Sequence, residues 1–177
     1  YGTTGESALK NVQPLFSELD FGGIAIAHNG NLTNTNQIKE KLIKNGAIFQ
    51  STSDTEVILH LISTAKGTLI DRIVYALQSI TGAFSLVMLT NDTLIGVRDP
   101  FGIRPLVLGK LGDSHILSSE SCGLDIIGAS LIRDVEPGEI LIIKNSKIDS
   151  IKPFKKTYLK PCLFEYIYFS RPDSILE

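Results

Sequence analysis

The apolar residues of this chain come in short runs closed by turn-forming pairs. Leu86–Leu89 and Ile140–Ile143 are typical of the longest. A membrane-crossing helix needs about 20 consecutive apolar residues, so the chain is read as one that does not span a membrane. Ala83–Thr90 and Thr93–Arg98 flank Asn91-Asp92, and Glu139–Lys144 and Lys147–Ile151 flank Asn145-Ser146. Two strand-like runs around such a pair read as a β-hairpin. Leu106–Gly109 and Ile116–Ser119 read as further strands. The length of the apolar runs suggests sheets buried on both faces.

Helical periodicity is confined to the first half. Phe21–Ala27 reads as a buried strand, ended by the turn chemistry of His28-Asn29-Gly30-Asn31. Asn34 or Thr35 can cap a helix running to about Asn45, with Ile38, Leu42 and Ile43 on one face and Gly46 as its stop. Ala47–Gln50 reads as a short strand. Ser53 three residues before Glu56 forms one capping box, and Thr68 three before Asp71 forms another. The helices they open carry Val57, Ile58, Leu61, Ile62 and Ala65, then Leu69, Ile70, Ile73, Val74 and Leu77, at helical spacing. Paired helices with antiparallel strands predict an α+β chain, helices packed on β-sheets.

Composition narrows the function classes. Hydrophobic residues make up 43% of 177, enough for a core. The net charge of −2 argues against a nucleic-acid partner, which needs a basic face. Two cysteines, Cys122 and Cys162, exclude a disulfide scaffold, and with three scattered histidines they argue against a structural zinc site. The sequons at Asn31 and Asn91 are read as unglycosylated, since no secretory signal is visible. GxxxxGK[ST] and GxGxxG patterns are absent. The first residue is Tyr1 and the last Glu177, and the chain is expected to be an internal piece of a longer protein.

Six segments carry chemistry: YGTTG at 1–5, AHNGNLTN at 27–34, TSDTE at 52–56, RDPFGIRPL at 98–106, SSESCGLD at 118–125 and FEYIYFSRPDS at 164–174. In this order and spacing they closely resemble the amidophosphoribosyltransferase family, which catalyses the first committed step of purine synthesis. HNG and RDPFGIRPL-like strings also occur in related glutamine amidotransferases such as asparagine synthetase; FEYIYFSRPDS points to the purine branch.

The resemblance implies a fold: an α+β N-terminal-nucleophile hydrolase of four αββα layers, two stacked antiparallel sheets flanked by helices, incomplete at its N-terminus here. It implies a glutamine amidotransferase type 2 domain over residues 1–160 and a junction over 161–177 to a phosphoribosyltransferase domain outside the chain. It also implies a reaction. A cysteine thiol attacks the side-chain amide of glutamine, and ammonia leaves and travels to the second domain. There it displaces pyrophosphate from phosphoribosyl pyrophosphate. Mg²⁺ would belong to that second domain. The full-length enzyme is expected to be cytoplasmic and a homo-oligomer.

Attack on an amide builds charge on oxygen, which needs preorganised donors worth ~3–4 kcal/mol each. By resemblance Asn29 supplies a side-chain NH₂ and Gly30 a backbone N–H, together the oxyanion hole; read alone, Asn-Gly is a turn. The substrate ammonium needs an anion, by resemblance Asp54, whose other reading is helix capping. Its carboxylate needs donors; Thr3 is the candidate, beside an arginine that the family places immediately before Tyr1.

The family nucleophile is the first residue of the mature enzyme, and nothing here replaces it. Cys122 reads as a buried small side chain. In some members the counterpart of Cys162 is one of four ligands to a [4Fe–4S] cluster; others keep the cysteine without a cluster, and both readings stand. Arg98, Asp99 and Arg104 read as structural, an Asp-Pro turn with arginines on carboxylates or carbonyls. His28 reads as a satisfied, partly buried histidine, and His60 and His115 carry no assigned chemistry. Arg171-Pro172-Asp173-Ser174 is expected to help join the two domains. The alternatives are the glutaminase domain of another class II amidotransferase, or a non-catalytic domain of the same fold.

Overall fold

The structure, a computed structural model, describes residues 8–155, 158–160, 162–164, 167–168 and 170–175. Its strands form two sheets, with helices beside them. The chain divides into two compact units, one of residues 1–82 and 88–91, the other of residues 83–87 and 92–177.

In the first unit a 3₁₀ turn, Leu9–Asn11, precedes strands β1 (Leu15–Leu19) and β2 (Gly22–Leu32). They pair antiparallel, Leu19 opposite Gly22, so Asp20 and Phe21 make a two-residue turn. Gly22 takes a φ of +109°, a conformation open to glycine, which closes that turn. Strand β1 has no counterpart in the sequence reading, because Leu15-Phe16-Ser17-Glu18-Leu19 shows no alternation of apolar and polar residue types, although its burial alternates.

Strand β2 is longer than expected: His28-Asn29-Gly30-Asn31 lies inside it rather than ending it. Turn-forming residue types continue a strand here because Gly30 accepts a φ of +152°. The chain turns after Leu32 instead, where Asn34 donates to the carbonyl of Ser79 and accepts from the N–H of Thr81. Those two bonds take the side chain that would otherwise cap helix α1 (Thr35–Lys44). Leu42 is buried in that helix while Ile43 stays exposed, so the apolar stripe is narrower than the periodicity suggested. Ala47–Gln50 forms no strand; Ile48 is exposed and has nothing to pair with in a sheet.

Helices α2 (Thr55–Thr64) and α3 (Leu69–Ser79) bury Val57, Ile58, Leu61 and Ile62, then Ile73, Ala76 and Leu77. Each fully buried aliphatic side chain contributes roughly 1.5–3 kcal/mol of transfer free energy. The capping box at Thr68 is present, its hydroxyl accepting from the Asp71 N–H while Asp71 accepts from the Thr68 N–H. The box expected at Ser53 is not. Asp54 holds the N-cap position, and Glu56 reaches upstream to the backbone of Gln50 and Ser51.

The second unit holds β4 (Thr93–Arg98), β5 (Val107–Leu111), β6 (Ser114–Ser118), α4 (Ser121–Ile126), β7 (Ser130–Asp134), β8 (Ile140–Lys144) and β9 (Lys147–Ile151). Strand β3, Gly82–Leu89, runs before them. Strand β8 pairs with β4 and β9, and β5 with β6 and β7, all antiparallel. Asn145 and Ser146 both have positive φ, as a two-residue hairpin turn between β8 and β9 requires. Leu106, Leu108, Val135, Leu141 and Ile143 form one core cluster. Burial on both faces holds for β4 and β8 but not for β7 or β9, whose side chains are mostly exposed.

RDPFGIRPL is structural scaffolding. The fully buried Asp99 carboxylate accepts the N–H groups of Phe101, Ile103 and Arg104. The Arg98 guanidinium donates to the carbonyls of Arg104, Val135 and Gly102.

Glu139, only 2% exposed, is the strongest titration-linked element. Burial works to raise its pKa. The Arg133 guanidinium, the Ser150 hydroxyl and the Glu136 N–H outweigh burial and hold it at about 2, against 4.5 for a free carboxyl. A depressed folded pKa gives stabilisation that is complete above the unfolded pKa and is lost as pH falls through the folded one. Glu139→Gln should therefore lower unfolding free energy at about pH 7 by about 2–4 kcal/mol. Denaturant titrations should also show a shallower loss of stability between about pH 4.5 and about pH 2 than in the wild type.

Candidate functional site

The candidate residues meet on β2 and at the start of α2, within the first unit. Residues of one strand alternate between faces, so His28, Gly30 and Leu32 share a face, on which Ile24 and Ile26 are fully buried. Gly30 is buried and Asn29 is exposed. Gln13 anchors the approach, its side-chain oxygen accepting the His28 N–H.

Asp54 is drawn onto this strand. It is 2% exposed, and its Oδ2 accepts the Leu32 N–H at 3.0 Å. Its Oδ1 lies 3.4 Å from His28 Nδ1, and the Thr55 hydroxyl lies 3.3 Å from the same nitrogen. These contacts orient the Asp54 carboxylate on β2. The structure thus brings Asp54 against the segment that carries Asn29 and Gly30. Thr3 lies outside the described residues.

The loop before α2 is built to hold Asp54 in place. Ser51, Ser53 and Thr55 are all buried. The Ser53 N–H donates to the Ser51 hydroxyl and the Thr55 N–H to the Ser53 hydroxyl. Asn11 clamps Thr52 from outside, through both its amide oxygen and its NH₂. Burial works to raise the Glu56 pKa. The N–H groups of Gln50 and Ser51, the Ser51 hydroxyl and nearby His60 hold the carboxyl below its ordinary value. Sequence reasoning missed this arrangement. Serines spaced by two before an Asp-Thr-Glu could have signalled side chains bonding the backbone of a loop.

His28 is not the satisfied histidine that was expected. Its side chain is 1% exposed, Nδ1 faces Asp54 and Thr55, and Nε2 is buried without a hydrogen-bond partner among the described residues. His60 packs against Phe49 with the two rings tilted by 48°, and lies 3.8 Å from Glu56. Cys122 is buried and Cys162 half-buried, both as free thiols. Among the described residues no three His, Cys, Asp or Glu side chains converge as metal ligands. A [4Fe–4S] cluster takes four thiolates and this chain has two cysteines, so its residues alone do not fit one.

Comparison with known proteins assigns the family. Residues 6–125 match the model of a glutamine amidotransferase domain. The chain is 52% identical to an amidophosphoribosyltransferase of Rhizobium etli, over 99% of this chain and 37% of the relative. It is 43% identical to that of Archaeoglobus fulgidus, over 100% of this chain and 39% of the relative. The chain thus spans well under half the length of these relatives. Among solved structures, the glutamine phosphoribosylpyrophosphate amidotransferase from Bacillus subtilis, complexed with ADP and GMP, superposes with a TM-score of 0.92 at 43% identity. That match covers 96% of this chain and 38% of the other. The fold is therefore α+β, with two antiparallel sheets and flanking helices in the N-terminal-nucleophile hydrolase arrangement. Segments 27–34 and 52–56, which hold Asn29, Gly30 and Asp54, fall inside the matched residues, and on these grounds the chain belongs to the glutamine amidotransferase domain family.

Proposed function

We propose that this chain is the glutaminase portion of an amidophosphoribosyltransferase. The observation that carries the reading is the Asp54 carboxylate seated on β2 through the Leu32 N–H, two residues from Gly30. In this reading a cysteine outside the chain attacks the glutamine amide carbon. Asn29 and Gly30 donate to the developing oxyanion, Asp54 holds the substrate ammonium, and Thr3 helps hold its carboxylate. The carbon–nitrogen bond breaks as a thioester forms, and water then releases glutamate. Ammonia displaces pyrophosphate at the anomeric carbon of phosphoribosyl pyrophosphate, in a downstream domain that binds Mg²⁺. A carbon–nitrogen bond forms, the carbon–oxygen bond to pyrophosphate breaks, and the nitrogen gives up a proton. The full-length enzyme works as a cytoplasmic homo-oligomer. Among the described residues no helix is long and apolar enough to cross a membrane.

Two assays test this. The full-length protein with glutamine, phosphoribosyl pyrophosphate and Mg²⁺ should yield glutamate, pyrophosphate and phosphoribosylamine in equal amounts. Nitrogen transfer to aspartate or to a sugar phosphate instead would assign another class II amidotransferase, and no glutamate at all would assign a non-catalytic domain. Purified residues 1–177 should release no ammonia from glutamine, since neither Cys122 nor Cys162 is the nucleophile. Ammonia release by this piece would overturn the placement of the nucleophile.

A further inference from the structure

Glu120 sits at the N-cap of α4, yet its side chain makes no capping hydrogen bond. Glutamate is not among the residue types favoured there, so local helix stability does not account for it. Its carboxylate is turned toward a segment far along the chain. Oε2 accepts the Arg171 N–H at 2.9 Å and the Ser174 hydroxyl at 2.7 Å, with the Cys122 Sγ at 3.8 Å. The next residue does the same: the Ser121 hydroxyl, 2% exposed, accepts the Ile175 N–H at 2.7 Å.

Both ends of this contact have local support. Arg171-Pro172-Asp173-Ser174 is a self-held turn, with the Ser174 N–H on the Arg171 carbonyl and the Arg171 guanidinium bidentate on Asp173. Helix α4 is anchored by the fully buried Leu124, packed with Val107 and Ala129. Two consecutive side chains thus fix a turn about fifty residues away, Glu120 through two charge-assisted bonds and Ser121 through a neutral one. They join two sequence segments, SSESCGLD and FEYIYFSRPDS, that the glutamine chemistry leaves unused.

We propose that Glu120 and Ser121 form a latch that sets where the chain leaves this domain, and that the latch keeps ammonia release coupled to its use. The proposal rests on the reading of a downstream phosphoribosyltransferase domain. Glu120 is a positioning residue in it and touches no substrate. Transfer of a small molecule between two sites depends on their registration, and misplacement by about 1 Å can cost orders of magnitude in rate.

The test uses the full-length protein and counts phosphoribosylamine formed per glutamate released. Glu120→Ala removes both bonds to its carboxylate and should lower that ratio by at least about fivefold, the factor carried by roughly one of them. Ammonia-dependent synthesis and glutamate release should each stay within about twofold of wild type, as for a change that leaves both sites intact. Ser174→Ala should lower the ratio less, and adding it to Glu120→Ala should lower it no further, because the two share one bond. An unchanged ratio in a folded Glu120→Ala protein overturns the latch, as does an equal loss of ammonia-dependent synthesis. If Glu120→Ala fails to fold, Ser174→Ala and Glu120→Gln decide, and both must lower the ratio. A wild-type protein that makes no phosphoribosylamine from either nitrogen source sinks the parent reading, and the latch with it.

Discussion

Asn29→Ala in the full-length protein should lower kcat for glutamine by about 10²–10³-fold and leave ammonia-dependent synthesis within about twofold of wild type. The argument is differential. A side-chain amide donor gains strength as the carbonyl oxygen becomes anionic, so its loss falls on the transition state rather than on substrate binding. KM for glutamine should therefore move little. The substitution is structurally mild because Asn29 is exposed on β2 while its neighbour Gly30 is buried. Equal losses with glutamine and with ammonia would place the damage elsewhere. Steady-state kinetics with each nitrogen source separates the outcomes.

Asp54→Asn should act on the other side of that division. The substitution is isosteric and keeps an acceptor for the Leu32 N–H, the bond that seats residue 54 on β2. It removes the charge that we propose faces the substrate ammonium. A desolvated ion pair broken by removal of one partner costs about 2–5 kcal/mol, so kcat/KM for glutamine should fall by at least about 30-fold. The loss should sit mainly in KM. Asp54→Ala is the poorer probe, since it also strips the Leu32 N–H and His28 of their partner and leaves buried polar groups unpaired.

How much of this was legible depended on how local each signal was. The hairpin at Asn145-Ser146, the helix at 69–79 and the Thr68 capping box are written in neighbouring residues and stand in the structure as read, while the helix at 55–64 forms without the Ser53 box and stops before Ala65. The failures have physical causes. Asn29-Gly30 reads as a turn because both residues favour one, yet both lie inside β2, where Gly30 accepts a φ of +152°. Ser53-x-x-Glu56 has the spacing of a cap, yet Glu56 is taken by backbone N–H groups upstream and Asp54 by Leu32. Asn34 abandons its cap for Ser79 and Thr81, more than forty residues away. For Asp54 and Asn34 a long-range partner outcompeted a local one, and a single sequence does not display such partners. The contact between Asp54 and β2 is of that kind; only the family resemblance placed those residues in one site. The orphaned Nε2 of His28 is likewise invisible in sequence, since burial of one ring nitrogen depends on what packs around it.

The most direct test of the account compares glutamine with its analogue lacking the α-ammonium group, in wild-type and Asp54→Asn full-length proteins. The quantity is the ratio of kcat/KM for the two substrates. If Asp54 grips the ammonium, the wild type should prefer glutamine by at least about 30-fold, and the variant's preference should collapse toward parity. A variant that kept the full wild-type preference would show that the ammonium is held elsewhere and that Asp54 serves only to seat α2 on β2.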